Sequence, residues 1–219
     1  NIINYLKMAL NIRYQYLLLG VVLTKPKSII EIGLAQGERA YQMIQLASKY
    51  EANIKYTGYD VFDTKSSSWH RMVGNGKQVA SKDVIKSRLD KLTSNISLIE
   101  GMTSETLWLN PQKADYVWLD GDHRIEEIQR DFEAVKNSKI IVFDDFYVNG
   151  EHDGFTIDKF GCNKIVETFD KDQIFISPET KILPDIRIVF WSENRSIIKN
   201  LKYYLTDINN MKEYLSKNK

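Results

Sequence analysis

The chain has 219 residues, 43% apolar and 27% charged, the proportions of an ordinary globular protein long enough to build a core without staples. Its 30 Lys and Arg against 29 Asp and Glu leave a formal charge of +1, which excludes an overall basic footprint for nucleic acid or an anionic membrane. The single Cys162 excludes an internal disulfide, and the longest nearly unbroken apolar run, Tyr16 to Leu23, is far shorter than the ~20 residues that cross a bilayer. We therefore expect one soluble, cytoplasmic domain over 1–219, with no nucleic-acid partner and no membrane contact. The amino end shows no signal-peptide pattern, and a start at Asn1 leaves room for preceding residues.

In chain order, Ile3, Leu6, Leu10, Tyr14 and Leu17 are spaced for one face of an opening helix, which Lys25-Pro26-Lys27 ends. Ser28 to Gly33 then reads as a short buried strand and Glu38 to Ala47 as a helix. Lys55 to Asp60 is a strand, Asp63 to Ser81 a long polar loop, Lys82 to Leu92 a helix, and Ile96 to Glu100 a strand. Asp115 to Asp120 is the next strand; Ile125, Ile128, Phe132 and Val135 mark a helical face, and Lys139 to Asp144 another strand. Gln173 to Ile176 and Ile186 to Trp191 form a hairpin pair around Pro178 and Pro184. One amphipathic helix closes the chain through Ile197, Ile198, Leu201, Tyr204, Leu205, Ile208, Met211 and Leu215, with core packing as its first role and a dimer interface as the alternative. Strands alternating with helices predict parallel βαβ units and a three-layer α/β fold: a mostly parallel seven-stranded sheet with one antiparallel strand. The expected divisions are a helical segment 1–27, a core 28–192 and a terminal helix 193–219.

Acidic residues recur at strand ends: Asp60, Asp120 and Asp144 close their strands, and Glu31 lies just inside the end of the first. In an open parallel sheet that edge is the ligand crevice. Four carboxylates there would repel one another unless something cationic joined them. Glu31-Ile-Gly33-Leu-Ala-Gln-Gly37 is a strand, a two-glycine turn and a helix start; it matches neither the dinucleotide fingerprint nor a Walker loop. Asp60 is suited to the two hydroxyls of a ribose, and Gly101-Met102-Thr103 to the flat face of a base. Asp120, Asp144 and Asp145 would supply an all-oxygen site for Mg²⁺ or another hard divalent ion, whereas zinc lacks its ligand spacing. Trp69, His70 and Arg71 in the long loop, and His152 after the aspartate pair, are further candidates at the rim; Cys162 reads as a small buried side chain.

With these motifs in this order, the chain resembles the class I S-adenosylmethionine-dependent methyltransferases, and within them the metal-dependent O-methyltransferase group of macrocin-type and catechol-type relatives. EIGLAQGERA is similar to their cofactor loop, LDGDHRIEEIQRDFEAV to their fourth-strand motif and IIVFDDF to their fifth. The resemblance implies that Glu31, Gly33 and Gly37 line the methionine part of S-adenosylmethionine, Asp60 holds its ribose, and Met102 and Thr103 flank its adenine. It further implies a divalent metal, Mg²⁺ first, on Asp120, Asp144 and Asp145, with His123 and Asp120 as catalytic residues and His123 the general base. The chain departs from the family pattern at Arg39, Ile125 and Asn137-Ser138. The activity so implied is metal-assisted O-methylation of a small-molecule hydroxyl, a sugar or polyhydroxylated metabolite, with a homo-oligomer through the terminal helices as a further possibility. The alternatives are a catalytically idle methyltransferase-like binding module and another nucleotide-binding α/β enzyme.

Overall fold

The computed structural model describes residues 12–73 and 79–217 of the chain. Its elements run α1 (Tyr14–Thr24), β1 (Ser28–Ile32), α2 (Glu38–Ala47), β2 (Lys55–Asp60), α3 (Ser67–Met72), α4 (Lys82–Leu89), β3 (Ile96–Glu100), β4 (Tyr116–Leu119), α5 (Ile125–Val135) and β5 (Ile141–Tyr147). A small hairpin, β6 (Glu151–His152) and β7 (Phe155–Thr156), precedes α6 (Asn163–Val166), β8 (Ile174–Ile176), β9 (Ile186–Trp191), α7 (Arg195–Thr206) and α8 (Ile208–Lys217). The main sheet has seven strands in the order β3-β2-β1-β4-β5-β9-β8. Strands β1 to β5 pair in parallel, and β9 is antiparallel to both its neighbours, which is the one reversed strand the sequence predicts.

Side chains of successive strand residues face opposite ways, so a strand buried on both faces must be apolar throughout. That is why YVWL and IRIVFW contain so little polarity. On one face Tyr116, Trp118, Val142, Ile188 and Phe190 pack with Leu17 and Val21 of α1, Met43 and Ile44 of α2, Ile85 of α4 and Leu201 of α7. On the other, Val117, Leu119, Ile141, Phe143, Val189 and Trp191 pack with Ile128, Phe132 and Val135 of α5 and Ile165 of α6.

Several elements differ from expectation. Ile3, Leu6 and Leu10 lie outside the described residues, and α1 is buried along Tyr16 to Val22 on every side, so it is a core helix without a polar face. It ends as expected, with Lys25 in the left-handed conformation returning its N–H to Val21. The terminal helix is two helices, because Asp207 is extended and its Oδ1 accepts the Asn209 N–H at 2.8 Å, capping α8. Leu201, Leu205, Met211 and Leu215 from both pieces join the core. The long loop contains α3, and α4 stops at Leu89, three residues early. Strand β5 continues through Asp144 to Tyr147, so Asp144 lies within a strand and does not end one.

Gly20 shows how closely α1 lies on the sheet. A Cβ there would run into the Tyr116 hydroxyl and come within 2.7 Å of the Phe190 ring. Gly20→Ala should cost about 1–3 kcal/mol through overpacking, read as a lower urea midpoint at unchanged slope.

Candidate active site

The carboxyl ends of β1 to β4 open into one cleft. Its lining includes Gly33 and Ala35, Asp60, Trp69, Met102, Thr103 and Asp122. Gly33 has φ +84°, and a Cβ on it would strike the Asp120 carbonyl, so the two strand ends approach only because that residue is glycine. Asp60 organises the turn that follows: Oδ2 accepts the N–H groups of Leu34 at 2.5 Å and Ala35 at 3.1 Å, and Oδ1 accepts Phe62 N–H at 2.6 Å. The Gly101 N–H bonds the Asp60 carbonyl at 3.0 Å, tying the end of β3 to that of β2. Behind Met102 and Thr103 lies Asp131, buried and accepting Trp108 Nε1–H at 2.7 Å. Burial pushes its carboxyl up to about 7, against the lowering effect of the Trp108 and Thr103 hydrogen bonds.

Beside this cleft the expected carboxylates converge, and the cation among them is Arg13. Its Nε donates to Asp144 Oδ1 at 2.6 Å and its Nη2 to Asp144 Oδ2 at 2.9 Å, a two-point grip, with Asp145 Oδ1 3.4 Å away. All three residues are buried, at 6%, 4% and 5% exposure. Tyr14 completes the arrangement: its hydroxyl receives Arg13 Nη2 at 3.0 Å and donates to Asp144 Oδ2 at 3.2 Å. Arg39 stacks on the Tyr14 ring at 4.4 Å, with Arg13 also over that ring at 4.5 Å. Adjacent aspartates on a regular strand would point apart. Here the β5–β9 register shifts between Phe143 and Phe146, and Asp145 takes φ +55°, so both carboxylates turn toward Arg13.

His123 Nδ1 lies 2.6 Å from Asp145 Oδ2, and its Nε2 lies 3.5 Å from Asp120 Oδ1. The second contact is an ion-pair approach, because its geometry falls short of a hydrogen bond. Burial alone would lower this imidazole's pKa; the Asp145 and Asp120 carboxylates outweigh it and push it up to about 10. The two carboxylate neighbours thus favour the charged form of His123, the opposite direction from the neutral base the resemblance implies. Glu31 is buried under the turn, receiving the Tyr56 hydroxyl at 2.5 Å, and burial pushes it up to about 8 despite that bond.

Of the sequence candidates, Gly33, Asp60, Met102 and Thr103 meet in the cleft, whereas Glu31 and Gly37 are not part of its lining. Gly37 instead caps α2. Asp120, His123, Asp144 and Asp145 meet beside it, but the donor set does not fit a divalent ion. Both Asp144 oxygens are engaged by the guanidinium, and among the described residues no group of three or more His, Cys, Asp or Glu is placed to hold a metal. The expected metal on Asp120, Asp144 and Asp145 is thus not shown by this arrangement. Trp69 reaches the cleft, the side chains of His70 and Arg71 lie outside the described set, and His152 is held by Asp153, Asp185 and the Tyr147 ring. Cys162 is buried as expected, and burial pushes its thiol up, away from nucleophilic use. Sequence reasoning missed Arg13, Tyr14 and Asp131. The first two carry no motif; Asp131 sits in the apolar face of α5, where a carboxylate next to Phe132 was a usable signal.

A pH signature follows for His123. Its folded pKa of about 10 exceeds the ordinary 6.5, so the stability it contributes is fully present below pH 6.5 and lost as pH rises through 10. His123→Gln should therefore unfold more easily than the wild type at pH 6, with the gap closing toward pH 10. Chemical denaturation across that range measures it, and a gap independent of pH would mean a neutral imidazole.

The comparisons with known proteins bear on the same residues. No curated protein matches the sequence. An O-methyltransferase from Bacillus cereus, solved with SAH, is similar in fold at 11% identity and TM-score 0.56, over 81% of this chain and 79% of that one. The O-methyltransferase TomG from Streptomyces achromogenes, involved in tomaymycin synthesis and solved with SAM, gives 14% identity and TM-score 0.55 over 81% and 78%. Spermidine synthase from Thermotoga maritima gives 14% and 0.51 over 91% and 62%, so the fold by itself does not select the group transferred. The family model described as "Methyltransferase domain" matches residues 30–146, more than half of the chain and the stretch that carries the cleft and the carboxylates. The chain belongs to the methyltransferase domain family.

Proposed function

We propose that this protein transfers the methyl group of S-adenosylmethionine to the hydroxyl of a small molecule, a sugar or other polyhydroxylated metabolite. The observation that carries the reading is the cleft. It joins a side-chain-free turn at Gly33, a carboxylate at Asp60, and the Gly101-Met102-Thr103 backbone on one sheet edge, the set a nucleoside with a charged tail requires. S-adenosylmethionine bound there would supply an electrophilic methyl on a positively charged sulfur. The protein's residues then have three tasks. Gly33 lets the ends of β1 and β4 come together beside the ligand, Asp60 accepts the ribose hydroxyls while keeping the turn closed, and Met102 and Thr103 flank the base. Asp120, next to Gly121 of the lining, is the carboxylate to receive the acceptor's proton as its oxygen forms the new bond to carbon. His123, protonated between Asp120 and Asp145, orients that carboxylate. Most of the acceleration then comes from alignment of oxygen and methyl.

One observation favours a second reading. Arg13 and Tyr14 close the carboxylate centre from within, which would suit a catalytically idle module that binds the cofactor. Transfer of labelled methyl to a panel of polyhydroxylated acceptors separates the two.

Calorimetry with S-adenosylhomocysteine should show one site, and NAD should show none. Asp60→Ala should weaken that binding by about 1.5–3 kcal/mol, and also lower the thermal midpoint, since the Leu34, Ala35 and Phe62 amides lose their acceptor. No binding of S-adenosylmethionine or its product would end the methyl-transfer reading.

A further inference from the structure

We propose that Arg13 is the resident cation of the carboxylate centre, and that it makes the centre independent of divalent metal. The inference rests on the methyl-transfer reading for what the centre does, while the occupancy of the centre follows from geometry alone. Asp144 presents two oxygens and both are taken, Oδ1 by Arg13 Nε at 2.6 Å and Oδ2 by Arg13 Nη2 at 2.9 Å. A Mg²⁺ ion needs its oxygens at ~2.0–2.1 Å in a near-octahedral shell. It could enter between Asp144 and Asp145 only by expelling the guanidinium, because two cations of total charge +3 cannot share that buried pair without strong repulsion.

Arg13 is also poorly placed to leave. It sits immediately before α1, and α1 is locked: the Tyr116 hydroxyl donates to Leu17 O at 2.8 Å, and Gly20 lies against Tyr116 and Phe190. Within the site, Tyr14 bridges Arg13 and Asp144, and the Arg39 guanidinium also lies over the phenol ring. Arg39 is one of the positions at which the sequence departs from the family pattern, and its stacking on Tyr14 gives that departure a use. The remaining carboxylate oxygens are served by His123, which approaches Asp145 and Asp120. Among the described residues the three carboxylates thus meet Arg13 and His123, and the bidentate guanidinium reproduces one property of a metal, a fixed positive charge bridging Asp144 and Asp145. It differs in another: a guanidinium has no open coordination position, so it cannot bind and acidify a substrate hydroxyl. Proton removal is then left to the protein's carboxylates.

The test is a Mn²⁺ titration followed by electron paramagnetic resonance, on the wild type, Arg13→Met and Arg13→Met/Asp144→Asn, with S-adenosylhomocysteine calorimetry on the same samples. The wild type should leave Mn²⁺ free at millimolar concentration. Arg13→Met should bind one Mn²⁺ at least about tenfold more tightly, because the pair has lost its cation, and the double variant should lose that gain. Stoichiometric Mn²⁺ binding by the wild type that Asp144→Asn removes would overturn the proposal. So would a folded Arg13→Met that gains no Mn²⁺. Should Arg13→Met fail to fold, the wild type decides by itself: with ¹⁵N-arginine labelling, no protected Nε–H signal should broaden on adding Mn²⁺, and selective broadening of one overturns the assignment. Loss of S-adenosylhomocysteine binding in the wild type would instead defeat the methyl-transfer reading and leave the Mn²⁺ result standing.

Discussion

A guanidinium gripping two buried carboxylates is the contact on which the rest of this site depends. Asp144 and Asp145 sit in the middle of the sheet edge, where charge is costly to bury and costlier to leave unpaired. Arg13 comes from 131 positions away in the chain to neutralise them. The pair therefore does what an apolar contact there could not: it specifies where the start of α1 must lie. Its cost is met by packing on either side, since α1 contributes an all-round apolar helix to the core and β5 is apolar on both faces up to Phe143.

The cleft beside it is built on a different economy, of backbone groups and one carboxylate. Asp60 spends its oxygens on three amides of its own chain, so the turn after β1 is organised before any ligand arrives. Oδ2 accepts two of these amides and Oδ1 the third, so the carboxylate is held from both oxygens by the turn it organises. Preorganisation of this kind lowers the ordering that binding would otherwise require.

The two regions divide the charge sensibly. The cleft is lined by Asp60, Asp122 and Asp131, whereas the centre next to it holds Asp144 and Asp145 against Arg13. His123 shows how environment decides a residue's role. The same imidazole near a metal would be pressed to lose its proton; between Asp145 and Asp120 its pKa is pushed up, which favours the donor form. The chain belongs to the methyltransferase domain family, and Asp60, Asp120 and Arg13 are the residues on which the reading of its site turns.

Local pattern was enough for the frame. The strands SIIEIG, KYTGYD, DYVWLD and KIIVFD, the helices between them, and the reversed strand near the end are all set by periodicity and turn chemistry acting over a few residues, and the structure contains them with small shifts of boundary. The same holds for Gly33, Asp60, Met102 and Thr103, because in a parallel sheet the residues just past the strands share one edge by construction. The break at Asp207, the bulge at Asp145 and the proton on His123 were beyond that reach, since each depends on a partner supplied by three-dimensional contact. Above all, the sequence showed that the clustered carboxylates required a cation, and only the tertiary structure decided which. Charge repulsion is readable from Glu31, Asp60, Asp120 and Asp144 at the strand ends, but the remedy at Asp144, Arg13, is brought there by the docking of a helix that carries no motif.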